Sequence, residues 1–376
     1  MRQTVHSAGM SRVLLLTAAY GEGHNAAARG LHTALTELGA EAEIIDVFTL
    51  TGGVFYERSR RAYLDLINHA PRIWAETYAL IDRVPIMPLM LPLFGRARRA
   101  LGRILEDKKP DVVVSVYPAY GYFVERIFRE GPPRPFAFHT IVTDSITINS
   151  IWHRCPSDTF IVANQETADV MAGAGVSPER LRVLGFPVPP RFARDRPTRP
   201  APGGDVAPRV LFMVNAGKDA APAIVARLLE IPGLHLTVTV GRDEVLEQRV
   251  REAAGASPVE IHGWTEKMPE LLMSHHLLIG KAGGAAVQET IAAGTPMLIT
   301  HVVPGQEEGN ARLLIQNDCG AVRETPEALG AEVERLFANG ASGWLEWERN
   351  IARLTKPDAA LKIAELVLNS PPGPAH

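Results

Sequence analysis

The chain is poor in several things, and each shortage narrows what it can be. Only two of its 376 residues are cysteine, Cys155 and Cys319, far apart and without metal-ligand spacing around them. They read as reduced thiols of a cytoplasmic protein, and no metal site is expected. No uninterrupted apolar run reaches the length of about 18 residues that suggests a spanning helix. The nearest stretch, 84–94, is short and broken by Pro85, Pro88 and Pro92. Residues 1–10 hold no apolar run either, so no signal peptide is expected. Charge of one sign is also scarce. The formal net charge is −3, which leaves no electrostatic footprint of a nucleic-acid binder. Any meeting with a membrane is therefore expected from the side.

What the chain does have is globular stock for two domains, with 46% hydrophobic and 22% charged residues. Segment 12–18 (RVLLLTA) reads as a buried parallel strand. Gly21-Glu22-Gly23-His24 follows, then a helix over 25–38 ending at Gly39, then a strand at 42–48. Further strands are expected at 111–117, 136–143 and 159–163. The pattern restarts with strands at 209–214, 234–240, 258–263, 276–280 and 296–300. Strands alternating with helices predict an α/β protein of two Rossmann-like domains with parallel sheets facing across a cleft. The expected division is 1–187 for the first domain and 188–208 for a Pro- and Gly-rich linker. The second domain then covers 209–356, and 357–376 holds a helix crossing back and a disordered tail.

Ligands of open α/β sheets bind at the carboxyl ends of the strands, so the residues there carry the chemistry. Gly21 and Gly23 let a ligand approach a helix N-terminus, and His24 is either a general base in the cleft or a helix cap. Gly21, Gly23 and Ala26, with Asp46 20 residues beyond, also match a dinucleotide fingerprint. That match keeps a nicotinamide-dependent oxidoreductase open. Gly283-Gly284 offers backbone N–H groups and a helix dipole to a diphosphate, or is a plain turn. Glu289, about 7.5 Å further along the helix axis, is placed to reach a ribose or is solvated. The loop Pro304 to Asn310 suits sugar hydroxyls with its amides and carboxylates, or is a solvated acidic loop. Asp144 after a strand is a site carboxylate or an N-cap. Region 54–105 sets nine arginines against four acids, with Phe55, Trp74, Met87, Met90 and Phe94 interleaved. It suits an anionic lipid surface, or is a pair of ordinary helices with arginines outside.

Five stretches together resemble a known family. They are LLTAAYGEGHNAAA at 15–28, IVTD at 141–144 with Trp152 beyond, LGFPV at 184–188, KAGGAAVQETIAAGTPMLI at 281–299 and VPGQEEGNA at 303–311. They are similar to the diacylglycerol glycosyltransferases of glycosyltransferase family 28, which include monogalactosyldiacylglycerol synthases and bacterial processive diacylglycerol glucosyltransferases. The resemblance spans roughly residues 12–365. It implies a GT-B fold and an inverting, metal-independent transfer of a hexose from a UDP-sugar to diacylglycerol or another lipid acceptor. No cofactor is implied beyond the UDP-sugar itself. By motif match, His24 becomes the base and Asp144 the family's cleft carboxylate. Gly283 and Gly284 hold the diphosphate, Glu289 the ribose, and Gln306 and Glu307 the donor sugar. Asn215 and Gly217 lie near the phosphate, and Trp264 lies where the uracil is expected. Gly21, Gly23, Trp74, Arg96, Arg98 and Arg99 are assigned to the acceptor and membrane side. Ala282 stands where the family often has proline, and Gly280 where a small hydroxyl residue is common. The expected location is cytoplasmic, peripheral to the inner face of the cell membrane. Glucose, galactose and N-acetylglucosamine all remain open as donor sugars. N-acetylglucosaminyl transfer to a lipid-linked acceptor and a non-catalytic nucleotide-binding role stay open beside the main reading.

Overall fold

Alternating apolar residues build the first sheet. In β1 (Arg12–Leu16), Val13 and Leu15 enter one core while Leu14 and Leu16 enter another, as the two-residue period of a strand requires. The computed structural model describes residues 10–19, 21–52, 71–84, 86–371 and 373. The N-terminal nine residues, Phe55 with Arg58, Arg60 and Arg61, and most of the tail expected to be disordered lie outside the described residues.

β1 is joined in parallel by β2 (Glu41–Ile45), β3 (Val112–Ser115), β4 (Ala137–Ile141), β5 (Thr159–Val162) and β6 (Leu181–Val183), in the order β2-β1-β3-β4-β5-β6. Leu15 pairs with Ile44 on one side and Val114 on the other. The second sheet contains β7 (Arg209–Met213), β8 (His235–Gly241), β9 (Val259–Gly263), β10 (Leu277–Lys281), β11 (Met297–His301) and β12 (Gly320–Val322). Its order is β12-β11-β10-β7-β8-β9. The chain reverses direction across each sheet, between β1 and β3 in the first and between β7 and β10 in the second. Such reversals open a crevice at the carboxyl ends of the two strands concerned.

Six helices position the site: α1 (Glu22–Glu37), α2 (Pro71–Arg83), α3 (Gly95–Lys108), α4 (Gly284–Ala293), α5 (Glu308–Gln316) and α6 (Ala359–Leu368). One apolar core runs through both domains. It joins Leu31 and Leu35 of α1, Val287 and Ile291 of α4, and Ile363 and Val367 of α6 to the inner faces of both sheets. The last helix thus returns to the first domain. Its Ala359 fits against Gly185, where a Cβ would come 2.6 Å from the Ala359 Cβ. The Pro-rich stretch 188–208 is tied down rather than loose. Arg199 donates to the carbonyls of His275 and Gly294 and to Thr295 Oγ1, at 2.6–2.9 Å.

Candidate active site

α1 begins earlier than its spacing predicts. It starts at Glu22, after Gly21 in extended backbone, so Gly23 and His24 lie in its first turn rather than in a loop before it. The unpaired N–H groups of that turn give the helix a partly positive end. α4 also starts without a side-chain cap, because its N-cap is Gly283. Its first helical bond runs from Val287 N–H to Gly283 carbonyl, leaving the N–H groups of 284–286 outside the helix ladder. The two helix starts meet. A Cβ on Gly23 would lie 3.9 Å from the Ala285 nitrogen, and one on Gly284 would lie 3.0 Å from the Thr143 carbonyl oxygen. Two positive helix ends converging on one crevice make a place for an anion.

His24 sits at the reversal point of the first sheet. Its Nδ1 is 2.7 Å from the carbonyl oxygen of Val116, just after β3, and 3.1 Å from Thr143 Oγ1. A carbonyl only accepts, so Nδ1 carries the proton and the lone pair is on Nε2. Burial pushes the imidazole pKa down to about 4, partly opposed by the bond to Val116. The ring is therefore neutral near pH 7. Tyr117 stacks edge-on at 5.2 Å and Trp152 lies 6.1 Å away, centroid to centroid. The Trp152 indole N–H donates to Asp144 Oδ2 at 2.8 Å. Burial lifts the Asp144 carboxyl to about 6; the Trp152 bond opposes this and the charge of Glu307 adds to it. Trp152 thus bonds Asp144 and lies near the His24 ring.

The reversal point of the second sheet is held by Asn215, whose Oδ1 accepts the Lys281 amide N–H at 3.0 Å. Gly217 takes a positive φ of 60° just beyond. Lys281 Nζ reaches Glu307 Oε1 at 2.8 Å, and Glu307 Oε2 accepts the Val303 N–H at 3.0 Å. Lys281 was missed in the sequence, although it stands two residues before the glycine pair. Gln306 is half-buried in the same loop, beside Gly305. Glu289 lies on the side of α4 that faces α1. Burial raises its carboxyl to about 7, with Arg29 lowering it and Glu22 raising it. Trp264, 58% exposed, stands after β9 under the Arg242 guanidinium at 5.0 Å, two strands beyond β7.

On the acceptor side the structure corrects one expectation. Trp74 is buried against Val303, with Tyr78 beside it, so its indole wedges α2 onto the second domain instead of facing a membrane. Gly305 sits under Tyr78, where a Cβ would meet the ring at 3.0 Å. Arg96 and Arg99 are exposed at the start of α3 and Arg98 is half-buried. Leu80, Leu89 and Leu93, in the segment before them, are each more than 60% exposed. Gly21 has open space around it.

The dinucleotide reading fails on Asp46. Both its oxygens are engaged internally, by Thr49 N–H at 3.0 Å, Thr49 Oγ1 at 2.7 Å and Ala19 N–H at 3.0 Å. Three internal bonds, two of them to Oδ2, commit Asp46 to holding its own loop and capping the next helix.

Two family models divide the chain between them. Residues 24–188 match the monogalactosyldiacylglycerol synthase model and residues 218–361 match the glycosyltransferase family 28 C-terminal domain. The chain belongs to this glycosyltransferase family. It is 27% identical to the spinach chloroplastic monogalactosyldiacylglycerol synthase, over 94% of this chain and 71% of that one. It is 23% identical to the processive diacylglycerol beta-glucosyltransferase of Bacillus subtilis, over 87% of each chain. Among solved structures, MurG of Acinetobacter baumannii superposes with a TM-score of 0.63 at 14% identity, covering 96% of this chain and 100% of that one. The S. aureus MnaA structure with UDP gives 0.60 at 11%, covering 98% and 100%. At such identities these two show the fold alone, which is the GT-B arrangement of two Rossmann-like domains. The enzyme is a glycosyltransferase.

Proposed function

We propose that the cleft moves a hexosyl group from a UDP-sugar to diacylglycerol, with inversion, at an anionic membrane surface. The observation that carries this is the meeting of the two reversal points. The neutral His24, with its Nε2 lone pair, lies on one wall, and the uncapped α4 N-terminus lies on the other. The relatives' names supply the acceptor class. The acceptor hydroxyl oxygen attacks the anomeric carbon as His24 Nε2 takes its proton. The bond from that carbon to the diphosphate oxygen breaks, and UDP leaves with the electron pair. The charge that develops on UDP falls on the helix N-terminus at Gly283-Gly284. Glu289 takes the ribose, Gln306 and Glu307 the sugar, Asn215 and Gly217 border the phosphates, and Trp264 borders the uracil. The scheme needs no cofactor beyond the UDP-sugar.

The lipid side is assigned to the exposed Leu80, Leu89 and Leu93 together with Arg96 and Arg99. Apolar side chains beside arginines suit the interface of an anionic bilayer. Among the described residues no helix is long and apolar enough to cross a membrane. We place the protein on the inner face of the cell membrane.

The test is UDP release with UDP-glucose, UDP-galactose or UDP-N-acetylglucosamine, with diacylglycerol in anionic vesicles. Turnover of a UDP-hexose that requires the lipid is expected. Turnover only with UDP-N-acetylglucosamine, or equal rates without lipid, would contradict the reading.

A further inference from the structure

The Lys281–Glu307 ion pair stands where the donor's charge is expected to go. One partner of the pair is buried and the other is not. Glu307 is held in a buried position at 8% side-chain exposure, while Lys281 remains a quarter exposed. Both flank the N-cap of α4: a Cβ on Gly283 would lie 3.7 Å from Lys281 Cε and 3.8 Å from Glu307 Oε1. The carboxylate oxygen thus lies beside a helix N-terminus that has no side-chain cap, where negative charge is favoured. Lys281 is anchored through its backbone by Asn215, so its ammonium group can swing without moving β10. Glu307 is anchored through Oε2 by Val303, which leaves only Oε1 to change partners.

We propose that this pair is a placeholder, in which Glu307 Oε1 occupies an anion position that the donor diphosphate takes over by capturing Lys281. The inference rests on the reading of this cleft as a UDP-sugar site and adds a binding residue and an exchange to it. If the lysine stayed on Glu307, the arriving diphosphate would face it already neutralised. If the lysine leaves, Glu307 becomes a buried carboxylate that needs new hydrogen-bond donors. The hydroxyls of the donor sugar supply them, because a carboxylate accepts and a hydroxyl donates. UDP alone takes the lysine and gives Glu307 nothing in return, whereas a UDP-sugar completes both halves. The exchange therefore favours the loaded donor over the spent nucleotide, and so favours product release.

Titration of the full-length protein with UDP, and with the UDP-hexose that turns over, tests this. Glu307→Gln removes the competing charge and keeps an acceptor for Val303. It is expected to bind UDP roughly tenfold more tightly than wild type and to lose most of its preference for UDP-hexose over UDP. Lys281→Met is expected to bind UDP roughly tenfold or more weakly, with Lys281→Arg restoring most of the loss. Unchanged or weaker UDP binding by a Glu307→Gln protein of normal melting temperature overturns the exchange. If Glu307→Gln melts early, the lysine variants decide, and equal UDP affinity in Lys281→Met and Lys281→Arg overturns it. Wild-type protein that fails to bind UDP would instead overturn the donor-site reading on which the exchange rests.

Discussion

The two sheets share a topology and differ in the chemistry of their reversal points. Between β1 and β3 the proposed working group is a side chain, His24, desolvated and held by the Val116 carbonyl. Between β7 and β10 it is mostly backbone, the open first turn of α4, with charge supplied by the paired Lys281 and Glu307. On the proposed function, the first wall handles a proton and the second handles an anion. One fold supports both because the strand ends fix the position of the crevice while the few residues beyond them decide what it does.

The largest way to break this pairing is to hold the walls apart. A Cβ on Gly309 of α5 would sit 1.8 Å from the Ser145 carbonyl oxygen and 2.5 Å from the Thr147 nitrogen. Gly309→Val is expected to force the domains open and lower kcat/KM by about a hundredfold, since misplacement of about 1 Å can cost that much. Small-angle scattering should show a larger radius of gyration. Full activity with unchanged scattering would mean that the two walls need not meet.

Next comes the donor wall alone. Glu289→Ala is expected to raise the KM for the UDP-sugar roughly tenfold with little change in kcat, the value of a hydrogen bond to a charged group. A fall in kcat at unchanged KM would move Glu289 out of the ribose site. The lipid edge should be separable from both walls. Replacing Arg96 and Arg99 by alanine is expected to weaken sedimentation with anionic vesicles by roughly thirtyfold, at about 1 kcal/mol per arginine. UDP affinity should not change.

The smallest effect sharpens the proton wall. The Trp152 N–H favours ionised Asp144, so Trp152→Phe raises the carboxyl further above its present value of about 6. If ionised Asp144 is needed, activity is lost as pH falls through that pKa. The acid limb of kcat/KM should then move upward, with a few-fold loss at pH 6 and little at pH 8. His24, at about 4, contributes no limb between pH 5 and 8. A limb that stays put in Trp152→Phe would remove Asp144 from the rate.

Much of this was legible in the chain. The long apolar strands, the Gly283-Gly284 turn and the loop after β11 announce themselves, because buried parallel strands and helix starts leave local patterns. β6 (LRV) and β12 (GAV) do not, since three residues at a sheet edge carry no periodicity. Trp74 was misplaced because a tryptophan among arginines looks the same in sequence whether it faces lipid or a second domain. Asp46 matched the spacing of a fingerprint, and only its hydrogen bonds show that it caps the short helix Val47–Thr51. The Lys281–Glu307 pair joins the end of β10 to the loop after β11, 26 positions away, so it becomes visible only once β10 and β11 are paired.

The most direct test of the division of labour is one protein measured in two ways. His24→Ala should bind UDP within about twofold of wild type, because the anion wall is untouched. Its single-turnover rate of hexosyl transfer to diacylglycerol in vesicles should fall by roughly a hundredfold to ten-thousandfold. Loss of UDP binding in step with turnover, or transfer at the wild-type rate, would contradict the account.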